Sequence, residues 1–141
     1  MKLFKKGFTL VELLVTIGIL AVVAAGVIAL IDPRDKLLQA NDAKVLNDIG
    51  QIATAAQSYA AQNQGNYPVD STALRTELTS IPTAPSGYTE TISYSVTAFY
   101  AAGQLRSNRY LASCGVGSVS CYFKFDAGRT CYVTAAVTAC P

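Results

Sequence analysis

The sequence predicts an α+β protein, in which one long N-terminal helix carries a C-terminal antiparallel sheet of about four strands. Three observations predict it. Residues 13–31 contain no charged side chain. From Arg34 to about Gln62, apolar residues recur at helical spacing. After residue 88 the period shortens to two: Ile92, Tyr94, Val96 and Ala98 alternate with Thr91, Ser93, Ser95 and Thr97.

The apolar element comes first. A helix needs about 20 apolar residues to cross a hydrocarbon core of about 30 Å. Residues 8–31, rising about 1.5 Å each, are long enough to span it. Lys2, Lys5 and Lys6 precede the run and place the leader on the cytoplasmic side. One carboxylate, Glu12, falls inside the span, where an ionised group costs at least about 2.5–3.5 kcal/mol and needs a partner. No Lys or Arg follows it before Arg34. A cut after Gly7 would create an α-amine on Phe8. Within one helix that amine meets Glu12 awkwardly, one turn away. Between neighbouring copies the same pair makes a staggered, self-propagating contact, which is a rule for building a filament.

Lys5-Lys6-Gly7 followed by Phe8-Thr9-Leu10-Val11-Glu12-Leu13-Leu14-Val15 resembles the prepilin peptidase site of type IV pilins and type II secretion pseudopilins. The resemblance covers residues 5–31 closely and extends loosely to Pro68. It implies a cleaved leader (1–7), cleavage between Gly7 and Phe8, N-methylation of Phe8, and Glu12 as the assembly glutamate paired with Phe8. Residues 8–31 would be the transmembrane and filament-core helix, and 32–141 the globular pilin domain. It further implies a prepilin peptidase, an assembly ATPase and a platform protein as partners. The precursor would sit in the inner (cytoplasmic) membrane, and the product would be a helical homopolymer in an extracellular pilus. Two plainer readings of the N-terminus compete. A secretory signal would have a shorter apolar core and a small-residue cut, for which Ala21–Gly26 offers a site near Ala25; an uncleaved signal anchor is the other.

Beyond the apolar run, Pro33 removes a helix hydrogen bond and disfavours helical geometry at Asp32, so a kink or short break is expected there. The amphipathic helix (34–62) presents Leu38, Val45, Ile49, Ile52, Ala56 and Tyr59 on one face. Asp42, Lys44, Asp48, Gln51, Gln57 and Gln62 fall opposite, and Asp32, Asp35, Asp42 and Asp48 read as solvated surface charge. Gly65 and Pro68 stop the helix. Within the 63–87 loop region, Asp70 or Ser71 can cap a short helix from Thr72 to Leu78. The sheet region (88–141) is expected to hold a strand over 91–98, a turn at Gly103-Gln104, and a second strand near Asn108–Cys114. After a flexible loop over 115–120, a hairpin of 121–125 and 130–137 would turn through Asp126-Ala127-Gly128-Arg129, with Gly128 at positive φ.

Four cysteines, Cys114, Cys121, Cys131 and Cys140, lie in the last 28 residues, and an even number in an exported chain favours disulfides. Four cysteines allow three pairings. The nested one, Cys121 with Cys131 and Cys114 with Cys140, suits a hairpin, because a straight strand would carry Cys140 far from Cys131. A zinc site is the rival reading, disfavoured by the lack of histidine and of Cys-x-x-Cys.

Composition narrows the function. The formal charge of +2 owes much to the leader: without residues 1–7, eight basic residues face nine acids. The absence of histidine removes Ser-His and Cys-His nucleophilic systems. No phosphate loop is present, since Gly115-Val116-Gly117 is not followed by a helix and Lys. The residues therefore point to a structural protein rather than an enzyme, with no metal or cofactor. The reading is a structural subunit, the major pilin, of a type IV pilus-like filament. The alternative is a pseudopilin of a type II secretion or competence (DNA-uptake) machine. Against it, major pseudopilins are expected by resemblance to bind calcium near the C-terminus, and the last forty residues here hold one acid, Asp126. A DNA-binding pilin is a third class, for which Arg106, Arg109, Lys124 and Arg129 with Tyr110 and Tyr122 would form a small patch.

Overall fold

A computed structural model describes residues 7–30, 32–115, 118, 120–136 and 138–141. Outside these lie the leader lysines, Ile31 at the end of the apolar run, Val116, Gly117 and Val119 of the expected loop, and Val137 of the expected last strand. The chain divides into two compact units, Met1–Arg34 and Asp35–Pro141.

The first unit is dominated by α1 (Leu10–Leu30), 21 residues long and so about 30 Å by the helical rise. A new helix, α2, begins at Pro33, as the Asp32-Pro33 pair led us to expect. Proline suits the first helical position, where its missing N–H costs nothing. Asp32 caps the new start, its Oδ1 accepting from the Arg34 amide at 3.0 Å.

In the second unit, α2 (running to Gln62) lies against four antiparallel strands in simple meander order: β1 (Glu90–Ser93), β2 (Tyr100–Leu105), β3 (Cys121–Asp126) and β4 (Arg129–Val133). Val45, Ile49, Ile52 and Ala56 of α2 are fully buried with Phe99, Ala101, Leu105, Cys121 and Phe125. The expected stripe is therefore the core face. Helix α2 stops where Gln64 and Gly65 take positive φ and the Gly65 amide reaches back to Ala60 O. Asp70 caps α3, accepting from the Ala73 amide at 2.7 Å, but α3 covers only Ser71–Leu74, shorter than the 72–78 expected. The β3–β4 hairpin turns through Ala127 and Gly128, at φ 42° and 97°, the sign a two-residue primed turn requires.

Four expectations are corrected. The first strand ends at Ser93, short of Ala98. Gly103 is not in a turn. It sits in the middle of β2, paired with Glu90 and with Phe123. Its reason is proximity, since a Cβ there would lie 2.3 Å from Val45 Cγ1. Residues 108–114 are helical, α4 (Asn108–Leu111) running into a 3-10 turn (Ala112–Cys114).

The fourth correction concerns the disulfides, which join Cys114 to Cys121 and Cys131 to Cys140, with Cα separations of 5.5 and 5.7 Å. The nested pairing fails on register. Cys131 sits opposite Lys124, three residues along β3 from Cys121. Side chains alternate along a strand, so Cys121 and Cys131 point to opposite faces of the sheet. The straight-strand argument fails as well, because β4 ends at Val133 and the chain bends back over the outer face. There Lys124, almost fully buried, donates to Thr138 O at 3.0 Å and meets Asp126 Oδ2 at 3.1 Å and the Tyr100 ring at 4.2 Å.

Candidate functional site

The residues singled out at the N-terminus lie in the first unit. Thr9 closes the start of α1: its Oγ1 accepts from the Glu12 amide at 3.3 Å, and its carbonyl accepts from the Leu13 amide at 3.2 Å. With Glu12 three residues on, Thr9-x-x-Glu12 has the sequence form of a capping box, a signal legible in the sequence. Glu12 thus stands in the first turn of α1, at the end of the helix that favours a negative charge. It is the one ionisable side chain of α1.

Around Glu12 the helix is apolar on every side. Leu13, Leu14, Val15 and Ile17 point in different directions, yet each is more than half exposed. From Leu10 to Ile28 no part of the span is buried by the chain itself. An all-round apolar helix belongs in a hydrophobic surrounding rather than on a solvated surface. Its backbone bonds are internal, as such a surrounding demands. The Thr16 hydroxyl also turns inward, donating to Leu13 O at 2.8 Å. Phe8 is 74% exposed, and a Cβ at Gly7 would meet nothing within 4 Å. Packing among the described residues therefore gives no reason for glycine at position 7.

Residues 3–28 match the prokaryotic N-terminal methylation motif. The chain carries the N-terminal signature of the type IV pilin and pseudopilin family. The α+β architecture, with an apolar helix followed by a second helix and a four-stranded antiparallel sheet, is pilin-like. No curated protein and no solved structure matches the chain.

In the globular unit, the carboxylates expected on a solvated face divide. Asp42 is fully buried and clamps α2 to the segment after β2. Its two oxygens accept from the Arg106 and Ser107 amides, each at 2.9 Å. Asp35 Oδ1 accepts from the Asn108 amide at 3.1 Å. Arg106 itself donates to Gly87 O at 2.8 Å and lies over the Tyr88 ring. The Tyr88 hydroxyl donates to Leu38 O at 3.2 Å. Burial, reinforced by the Asp42 charge, pushes the Tyr88 phenol up to about 12.

Asp48 is also buried. It pairs with Lys44, which donates to Thr83 O at 2.7 Å. The four cations of the considered nucleic-acid patch are put to separate uses. Lys124 is buried and Arg106 is engaged in the clamp. Arg129 donates to Pro141 O at 3.4 Å, and Arg109 lies over Tyr110. Asp126 is engaged too, by Lys124 and by the Cys140 amide.

The spacing of the apolar stripe carries a signal for Asp42. Between Leu38 and Val45 the apolar stripe leaves a gap of seven residues. Asp42 fills it, four after one and three before the other.

Proposed function

We propose that this chain is the major structural subunit of a type IV pilus-like extracellular filament rather than an enzyme. The observation that carries the reading is α1, apolar on all sides, exposed along its described side chains, and holding a single carboxylate in its first turn. Before assembly this helix is held in the cytoplasmic membrane. The prepilin peptidase hydrolyses the Gly7–Phe8 bond, the freed Phe8 amine is methylated, and the subunit leaves the bilayer with the help of an assembly ATPase and platform protein. In the filament, helices of neighbouring subunits replace lipid around α1. The Phe8 amine of one copy neutralises Glu12 of the next, so that no unpaired charge is buried.

Several features support this. Among the described residues a side chain at position 7 would meet nothing, which is compatible with a glycine kept for recognition by a peptidase. Gly18 and Gly26 likewise face open space within the chain, and small residues let helices approach closely in apolar surroundings. The engagement of Asp126 supports a pilin over a calcium-binding pseudopilin.

N-terminal sequencing and intact mass of protein recovered from the cell surface test the processing. The expected species begins at Phe8 and is heavier by one methyl group. A start near Gly26 or an intact Met1 would refute it. Electron microscopy tests the filament: long surface fibres are expected, and short fibres confined to the periplasm would favour the pseudopilin branch.

A further inference from the structure

The outer strands of the sheet are β1 and β4, and the register shows which of their backbone groups point out of it. Glu90 lies opposite Gly103, which sets Thr89 opposite Gln104. Thr89 O accepts from the Gln104 amide at 2.8 Å, so Thr89, Thr91 and Ser93 turn their backbone groups toward β2. In an antiparallel ladder such pairs alternate with pairs that turn theirs away. Glu90 and Ile92 therefore direct N–H and C=O out of the sheet. At the other edge, Ala127, opposite Phe99 in the β2–β3 register, donates its amide to Phe99 O at 3.2 Å. Carried along β3 and across to β4, the same alternation leaves Thr130 and Tyr132 pointing outward. Among the described residues, no hydrogen bond from outside the sheet reaches the backbone of these four.

Open edges of this kind accept a further strand. Beside β1 lies an open recess of about 460 Å³, lined by Pro82, Thr83 and Ala84 together with Glu90 and Ile92. Along β4, Thr130 is exposed and Tyr132 is 40% exposed.

Charge separates the two edges. Glu90 has a carboxylate oxygen buried without a partner among the described residues. Lys44, the cation that acts on it, is held by Asp48 and by Thr83 O. β4 instead carries Arg129, and Arg109 lies beside it over Tyr110, whose ring stacks on Tyr132 at 6.1 Å.

The side chains match too. Glu90, Gly103, Phe123 and Tyr132 form one row across the sheet, and Ile92, Ala101, Phe125 and Thr130 form another. Gly103 faces α2, so both rows do. A strand that set Tyr132 beside Glu90 and Thr130 beside Ile92 would continue both rows on that face.

We infer that β4 of one copy adds to β1 of a second copy, antiparallel, with Tyr132 opposite Glu90 and Thr130 opposite Ile92. Each of these two pairs exchanges both of its backbone hydrogen bonds. Tyr132 and the Arg109 cation then stand on the face where the Glu90 carboxylate lacks a partner. Because the two edges differ, the contact is head-to-tail, the type that repeats from copy to copy. It deepens the filament reading but rests on the globular unit alone.

The test mixes two variants of the full chain in detergent, Ile92→Cys and Thr130→Cys, under mild oxidation. Hydrogen-bonded antiparallel partners lie about 5.5 Å apart at Cα, within reach of a disulfide. A dimer linked through positions 92 and 130 is expected in the mixture. Its yield should exceed by about fivefold that of either variant alone and that of Gln57→Cys mixed with Thr130→Cys. Peptide mapping checks that Cys114–Cys121 and Cys131–Cys140 persist. Adding Glu90→Pro to the Ile92→Cys chain removes one outward N–H at the first residue of an edge strand, where proline is tolerated. It should cut the yield about fivefold. Glu90→Gln, which keeps the backbone, should cut it about twofold, and it decides the matter if Glu90→Pro lowers the melting temperature. A yield no higher than the control, a dimer of Ile92→Cys alone, or a higher yield from Glu90→Gln would each overturn the inference. The last would make Glu90 a guard against strand addition. Processing at Phe8 is read separately by mass, so failure here leaves that reading standing.

Discussion

Gly103 gives the sharpest test of how the helix meets the sheet. Its φ lies outside the left-handed region, so conformation alone does not require glycine. What requires it is the approach of α2: a Cβ would lie 2.3 Å from Val45 Cγ1 and 3.1 Å from Ile49 Cγ1, both side chains fully buried. Ordinary carbon contacts lie at about 3.5–4.0 Å, so Gly103→Ala forces a shift of about 1 Å in a packed layer. Overpacking of this kind costs about 1–3 kcal/mol. Glycine in a strand interior already costs about 0.5–1 kcal/mol relative to alanine, which offsets part of it. The net expectation is a loss of about 1–2 kcal/mol.

Val45→Ala alone removes two methyl groups and leaves a cavity, a cost of about 2–3 kcal/mol. In the double variant the new methyl enters the space that Cγ1 vacates. Its stability should fall within about 1 kcal/mol of Val45→Ala, a favourable coupling of about 1–2 kcal/mol. Denaturant unfolding of the full chain in detergent, followed by tyrosine near-ultraviolet circular dichroism, measures all four corners of the cycle. If Gly103→Ala is as stable as the parent, or the two losses simply add, the close approach does not exist.

Three further expectations follow. Glu12→Leu should insert in the membrane and fail to assemble. Glu12→Gln keeps the residue type of a capping box but not the charge, so it should fail equally if pairing is the role of Glu12; normal fibres from either variant, seen by electron microscopy, would refute the pairing. Glu90 has one buried oxygen without a partner among the described residues, and burial, helped by the Asp48 charge, raises its carboxyl above the usual range. A raised carboxyl pKa means the folded state binds the proton more tightly. Stability therefore falls as pH rises from the ordinary glutamate range through the folded value. Glu90→Gln should be more stable than the parent at neutral pH, with the gap closing in acid; a gap independent of pH across denaturant titrations would count against this. Lys124 should resist amine-directed labelling in the oxidised protein and become reactive when Cys131 and Cys140 are both changed to Ser, as peptide mass mapping would show. Equal labelling in both forms would mean that the tail does not cover it.

Several local features are legible in the sequence, and the long-range ones are not. The apolar run, the α2 stripe, the Gln64-Gly65 stop, the Asp70 cap and the 127–128 turn each depend on residues within a few positions of one another. Gly103 was misread because a glycine that ends a strand and a glycine that lets a helix come close look alike in one dimension. Asn108–Leu111 was misread because Asp35 and Asp42 fix the adjoining amides from more than sixty residues away. The disulfides depend on which face of the sheet each cysteine occupies. A one-residue difference in register reverses that, and it is invisible until β3 and β4 are paired.

The hydrophobic cluster takes all its residues from the globular unit, from Val45 to Phe125. The described side chains of α1, by contrast, bury nothing within the chain. Hydrophobic side chains left uncovered over 19 residues are costly in water, at about 25 cal/mol for each Å² of apolar surface. Under the proposed function, lipid or a neighbouring helix supplies that cover. The two halves of the molecule then answer to different tests. Substitutions at Val45, Gly103 or Asp42 are expected to change the folding of the globular unit, while those at Gly7, Phe8 or Glu12 are expected to leave that core intact and, under the proposed function, to alter processing or assembly. Thr9 is the instructive exception: its hydroxyl orders the first turn that carries Glu12, so its loss would disturb both the helix end and the placement of the charge.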